Sequence, residues 1–171
     1  MGVAVCSLKW EAVRSGAQRI IYDSDGYHLV RFPYGEAEES YDPWKMHDPA
    51  GGDPAPAFPD AHSGLITPSH DGWGVLSALV FWEADSRPRD YRARFVRDPL
   101  GESTGYDSTA TTDMVPTSGG QYRSYTWAMF VKRTTPVGLK ISARGAGGAG
   151  VAAPLMLAEF KLAIHTDVIT P

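Results

Sequence analysis

The stretch Gly64-Leu65-Ile66-Thr67-Pro68-Ser69-His70-Asp71-Gly72-Trp73-Gly74-Val75-Leu76-Ser77-Ala78-Leu79-Val80-Phe81-Trp82 decides the fold. A short apolar segment ending at Pro68 meets a polar turn over Ser69 to Gly72, and an apolar run follows from Trp73 to Trp82. Side chains on a strand alternate with period two. Trp73, Val75, Ser77, Leu79 and Phe81 therefore share one face, and Gly74, Leu76, Ala78, Val80 and Trp82 share the other. Both faces are apolar, which predicts a strand covered on both sides, as in the inner sheet of a sandwich or in an oligomer. A buried helix is the competing reading. The length of the run, its aromatics and its Pro and Gly boundaries favour the strand.

The same alternation recurs on either side. Arg89 to Arg97 sets Tyr91, Ala93 and Phe95 against Arg92 and Arg94. Gln121 to Lys132 sets Tyr122, Ser124, Thr126, Ala128 and Phe130 against Tyr125, Trp127, Met129 and Val131. Val137, Leu139, Ile141 and Ala143 form an inward row against Lys140, Ser142 and Arg144. Leu155 to Ile164 sets Ala158, Phe160, Leu162 and Ile164 against Leu157, Glu159, Lys161 and Ala163. Nearer the amino terminus, Val3 to Val13 alternates loosely, with Val3, Val5, Trp10 and Ala12 as candidate inward positions. Gln18 to Tyr22 is rich in β-formers. Asp23-Ser24-Asp25-Gly26 is a hairpin turn, because Asp-Gly tolerates positive φ, and Tyr27 to Phe32 is the return strand. The count is about eight to ten strands with no helix of any length, which predicts an all-β antiparallel sandwich or barrel.

One segment breaks the pattern. Positions 33–65 hold Pro33, Pro43, Pro49, Pro54, Pro56 and Pro59, with an acidic patch at Glu36, Glu38 and Glu39. Its aromatics, Tyr34, Tyr41, Trp44 and Phe58, predict an ordered excursion packed on the body of a single 1–171 domain, with an extended piece from Glu38 to Lys45.

Bulk composition narrows the function. A chain of 171 residues with 43% apolar content builds one domain with a sizeable core. Eighteen glycines and 13 prolines spread through it are the punctuation of many short strands. Net charge is −4, with 16 basic against 20 acidic residues, which argues against a general binder of nucleic acid or anionic membrane. Cys6 is the only cysteine, so neither an internal disulfide nor a thiolate zinc site forms, and it reads as a small buried residue. The start, Met-Gly-Val-Ala-Val-Cys, carries no secretory pattern and lacks the Ser or Thr of a myristoylation site. With no run of 18 apolar residues, a soluble chain without a spanning helix is expected.

Chemistry-bearing motifs are sparse. Gly145-Ala146-Gly147-Gly148-Ala149-Gly150 matches Gly-x-Gly-x-x-Gly, but Pro154 leaves no room for the helix that would hold a pyrophosphate, so a strand-to-strand loop is expected and no cofactor. The histidines, His28, His47, His62, His70 and His165, lack zinc spacing. Asp23-Ser24-Asp25-Gly26 opens like a calcium loop without the closing Glu. No Gly-x-Ser-x-Gly is present, and the acidic patch reads as solvated rather than as paired carboxylates for sugar hydrolysis. The arginines Arg87, Arg89, Arg92, Arg94 and Arg97 read as the outer face of a strand paired with carboxylates, with phosphate or acidic glycan as the sharper alternative.

Tyr41-Asp42-Pro43-Trp44, Met46-His47-Asp48, Phe58-Pro59, Leu65-Ile66-Thr67-Pro68, Gly72-Trp73 and Ala78-Leu79-Val80-Phe81-Trp82 together resemble a known family. It is the jelly-roll domains related to the complement globular head and tumour-necrosis factor, as found in tailed-phage virion proteins. The pattern runs from about Ser15 to the carboxyl end; Gly74 departs from it where a larger residue is usual. The resemblance implies an antiparallel jelly roll that assembles as a homotrimer and binds rather than catalyses. Its implied partners are copies of itself, the major capsid protein or tail proteins of a virion, and host glycan, with no nucleic acid, membrane or cofactor. A capsid decoration protein on the virion surface, made in the host cytoplasm, is the leading expectation, and a minor tail or receptor-binding protein is the near alternative. A carbohydrate-binding or carbohydrate-active β-sandwich is the rival from another class. Trp73, Trp82, Tyr125, Trp127, Arg92 and Arg94 are the expected subunit or capsid contacts.

Overall fold

The computed structural model describes residues 2–35, 40–47 and 59–167. Ten strands lie among the described residues: β1 (Gly2–Glu11), β2 (His28–Leu29), β3 (Leu65–Ile66), β4 (Gly72–Trp82), β5 (Asp90–Arg97), β6 (Asp107–Ser108), β7 (Thr112–Met114), β8 (Gln121–Val131), β9 (Val137–Arg144) and β10 (Leu155–Thr166). One helical turn, α1 (Ala12–Ser15), follows β1. The first sheet runs β1-β10-β4-β8 and the second β2-β9-β5-β6, with β3 also on β9 and β7 also on β5. All the pairings are antiparallel. From β3 to β5 and again from β7 to β10 each successive strand crosses to the other sheet, whereas β5, β6 and β7 stay in the second. This is jelly-roll winding, and it explains the long-range character of the pairing.

The sandwich interior is built from one parity of each long strand. Leu76, Val80 and Trp82 of β4 face Leu139 and Ile141 of β9 and Phe95 of β5 in one buried cluster, joined by Phe160, Leu162 and Ile164 of β10. Phe160 lies between Phe32 and Phe95, with ring centroids at 6.4 and 5.8 Å. Gly74 has a packing reason. A Cβ there would stand 2.7 Å from Cγ1 of Val131 on β8, so the neighbouring strand's valine fills the space a larger residue would take.

The amino-terminal expectations need correcting. On β1 the buried row is Ala4, Cys6, Leu8 and Trp10, while Val3 and Val5 point outward. A period-two row cannot hold both Val5 and Trp10, and Trp10, whose indole Nε1 donates to the Gly16 carbonyl, sets the phase. Gln18 to Tyr22 is not a strand, and only His28–Leu29 of the return segment joins a ladder. The turn between them forms as expected: the Gly26 amide donates to the Asp23 carbonyl at 2.9 Å with Gly26 at φ 76°. Side chains then replace ladder bonds. His28 Nδ1 accepts from the Ile21 amide, and Gln18 Oε1 takes both the Arg31 amide and His28 Nε2.

Of the excursion, Tyr41 bridges to Ser7, Trp44 packs against the core and Met46 is buried in it. Glu36, Glu38, Glu39, Asp48 and Phe58 lie outside the described residues.

Candidate functional site: an uncovered sheet face

The register of the first sheet aligns its outward side chains in rows across four strands. Val3, His165, Trp73 and Phe130 make one row, and Val5, Ala163, Val75 and Ala128 the next. Ser7, Lys161, Ser77 and Thr126 form a polar middle row, and Glu11, Leu157, Phe81 and Tyr122 the far one. Phe81 and Tyr122 stack with centroids 4.4 Å apart. Trp73 is 53% exposed, Phe130 49% and Tyr122 62%. Ions on this face are paired locally, Lys9 with Glu11 at 3.0 Å and Lys161 with Glu159 at 2.7 Å. A sheet face with apolar, aromatic ends and a polar middle, which also takes in Lys9, Glu159 and Ser124, is therefore left open in the single chain. The expectation that β4 is covered on both sides fails within the monomer, because no second layer lies over this face among the described residues.

The six expected contacts do not form one surface. Trp73 stands on the open face. Trp82 belongs to the interior, 1% exposed and stacked on Tyr91 at 4.7 Å, so it is corrected from contact to core. Tyr125 is likewise interior; burial pushes its hydroxyl up to about 12, and that hydroxyl has no hydrogen-bond partner. Trp127 has the inward parity, opposite Leu76, but β8 is the last strand of its sheet and the ring emerges at the side of the sandwich. Its neighbours across the strand, Tyr122 and Phe130, carry the outward aromatic surface, and their common parity was the signal for it in the sequence.

Arg92 and Arg94 lie on the outer surface of the second sheet. Arg92 pairs with Asp90 at 2.8 Å and with Asp113 at 3.4 Å. Arg94 pairs with Asp25, and its guanidinium sits 3.7 Å over the Tyr27 ring. Both fit the expected face of arginines met by carboxylates. Lys140, read as an outward polar residue of β9, is buried under the Asp23–Tyr27 turn and pairs with Asp23 at 2.8 Å and Asp25 at 2.9 Å. Burial acts to raise the Asp25 carboxyl, but hydrogen bonds from Lys140, Tyr106 and the Tyr27 amide outweigh it and hold that carboxyl below the usual range.

The histidines are dispersed. His28 is buried and its pKa is pushed down to about 4, chiefly by burial. His47 donates from Nε2 to the Ser63 carbonyl at 2.8 Å and stacks on Tyr34. His62 pairs with Glu102, His70 meets Ser69 and the edge of Trp44, and His165 stands on the open face. Among the described residues no three His, Cys, Asp or Glu side chains group as a metal would require. The glycine-rich segment is a surface turn, with one 3-10 turn over Ala146–Gly148. Cys6 is buried at the centre of β1.

With this winding and core the molecule is a jelly-roll sandwich. No family model matches the chain, and no curated protein matches it. Solved structures do. The globular domain of zebrafish complement 1qA protein is 13% identical with a TM-score of 0.54, over 95% of this chain and 96% of that one. An Eiger TNF from S. frugiperda is 12% identical with a TM-score of 0.52, over 100% of this chain and 98% of that one. The fold is thus the complement-head and tumour-necrosis-factor type of jelly roll.

Proposed function

We propose that this chain is a non-enzymatic structural protein of a tailed-phage virion, a capsid decoration protein that stands as a homotrimer through the open face of the β1-β10-β4-β8 sheet. The observation that carries the assembly is that face: rows of aliphatic and aromatic side chains with no layer over them among the described residues. Soluble monomers rarely leave this many large apolar side chains bare on one sheet face, even where polar rows through Ser7, Lys9, Glu159 and Lys161 divide them. Burying one aromatic side chain is worth on the order of 2–3 kcal/mol, so a few per subunit dominate association. A threefold ring needs a heterologous contact, in which the face of one copy meets a different surface of the next. The virion setting is supported by the sequence resemblance, from Tyr41-Asp42-Pro43-Trp44 to Ala78-Leu79-Val80-Phe81-Trp82.

The rival, a lectin-like sandwich, calls for a planar row of exposed tryptophans. Trp44 packs on the core, and Trp73 and Trp127 lie on opposite sides of their sheet. That geometry favours assembly. A minor tail or receptor-binding protein of the same fold remains the second reading, favoured by the exposed Tyr106 loop.

Light scattering tests the assembly: the expected mass is three times the 18.6 kDa of one chain. A monomer at micromolar concentration would count against it. Labelled antibody on intact virions tests the placement, with labelling over the head expected; labelling at the tail tip would move the reading to the second one.

A further inference from the structure

The opposite surface of the molecule carries a cleft that the assembly reading does not use. It measures about 420 Å³ and is lined by Asp23, Ser24, Asp25, Leu100, Tyr106 and Lys140, together with Pro99 and Gly101. Small-ligand sites of this size combine an apolar wall with a few convergent polar groups. Here the floor is a lysine only 2% exposed, and one wall is the ring of Tyr106, 43% exposed.

The lining is held in place. Oδ2 of Asp25 accepts from Lys140 Nζ at 2.9 Å, from the Tyr106 hydroxyl at 2.8 Å and from Arg94, while Oδ1 accepts from the Tyr27 amide. Tyr106 is therefore fixed at its hydroxyl end, and the guanidinium of Arg94 and the ammonium of Lys140 lie 5.4 and 5.1 Å from its ring centre. The loop carrying Leu100 and Gly101 is fixed as well. The Asp98 carboxylate accepts the amides of Glu102, Ser103 and Gly105, and the Ser103 hydroxyl donates to the Thr134 carbonyl.

Hydrogen-bonding capacity is left over on the open side. Lys140 hydrogen-bonds Asp25 and ion-pairs with Asp23, and its ammonium is buried beneath them. Asp23 gives Oδ2 to Lys140 and keeps Oδ1 without a donor among the described residues, and the exposed Ser24 hydroxyl also makes no hydrogen bond among them. A carboxylate oxygen and a hydroxyl thus line the cleft beside a fixed aromatic ring. A metal ion does not suit the site, because the Lys140 ammonium already sits between the two carboxylates. A free anion is repelled by Asp23.

We propose that this cleft binds a single saccharide ring, as the terminal unit of a glycan. Its C–H face lies on Tyr106, and adjacent hydroxyls bond Asp23 Oδ1 and Ser24. The site is on the outer surface of the second sheet, on the side of the sandwich away from the open face of the first.

Saturation-transfer NMR of the purified protein with glucose, galactose, mannose and N-acetylglucosamine tests this directly, with glucuronate, whose carboxylate Asp23 repels, expected to bind more weakly than these. At least one sugar is expected to bind with a Kd of about 1 mM, a normal affinity for one small polar ring. Tyr106→Ala and Asp23→Ala should each weaken it about tenfold or more, and Tyr106→Phe, which keeps the ring, by less than about threefold. Should Tyr106→Ala fail to fold, Ser24→Trp fills the cleft from an exposed turn position and should abolish binding in a folded protein. Absence of transfer from all five sugars at about 10 mM, or binding untouched by these substitutions, overturns the proposal. Light scattering on the same samples reports assembly separately.

Discussion

The two outer surfaces of this sandwich are built from opposite chemistry. Outside the second sheet, a turn and its charged side chains close over the strands: Lys140, Arg94, Asp23 and Asp25 are joined in one network beneath Tyr27 and Tyr106. Outside the first sheet, Trp73, Val75, Phe81, Tyr122 and Phe130 face outward with nothing of the chain above them among the described residues. A polar surface completed by its own loops has no need of a partner. An apolar surface of comparable extent gains free energy only when another surface covers it. The two proposals divide along this contrast: assembly on one side, and a ligand cleft on the other.

The interior shared by both faces sets the energy scale. Trp82→Ala removes a ring 1% exposed and stacked on Tyr91, and should cost about 3–5 kcal/mol in urea unfolding. A cost under about 1 kcal/mol would show that β4 turns its other side inward.

Next comes the ion network of the covered face. Asp25→Ala leaves the buried Lys140 with one carboxylate instead of two and should cost about 2–4 kcal/mol. It should leave the oligomeric mass unchanged; a change would mean that this surface, too, takes part in assembly.

His28, on the strand that begins this cover, makes stability depend on pH. Its pKa is about 4 in the fold against the ordinary 6.5, so between these values the unfolded chain binds more protons. The contribution is therefore complete above pH 6.5 and lost as pH falls towards 4, on the order of 3 kcal/mol. Denaturant midpoints of the native protein and of His28→Gln across that window check it. Parallel pH profiles for the two would remove His28 as the cause.

The open face is predicted to respond in the reverse way. Trp73→Ser should change the stability of a single chain by less than about 1 kcal/mol, because half of the ring is already in water, while abolishing the proposed trimer in light scattering. Arg92→Ala, an ion-pair partner on the partly exposed outer surface of β5, should move stability by about 0.5 kcal/mol and assembly not at all. If Arg92→Ala dissociates the protein and Trp73→Ser does not, the assignment of the two faces is inverted.

Much of the architecture was legible because long strands repeat. β4, β5, β8, β9 and β10 each run through four or more alternations, enough to state where a strand lies and which side chains share a face. β1 was misread because its outward valines are as apolar as its inward residues, so hydrophobicity alone could not set the phase. Gln18 to Tyr22 has strand-forming composition, yet His28 and Gln18 take up the backbone groups that a ladder would have used. Lys140 sits on the polar parity of β9, opposite the inward row; only the turn folding over it from more than a hundred residues away makes it buried. Tyr106 lies in a stretch of small polar residues where no periodicity marks it.

Period-two patterning, turn residues and composition determined from the sequence alone that this is a winding of antiparallel strands with an apolar surplus on β4 and β8. Whether a given apolar face becomes core or remains open depends on which strands become neighbours and what crosses above them. Trp73 and Trp82 show it: they share a strand, a residue type and an apolar context, and opposite parities send one to the surface and one to the core. Local sequence sets parity, whereas burial is a property of distant layers meeting, so only the tertiary structure decided it.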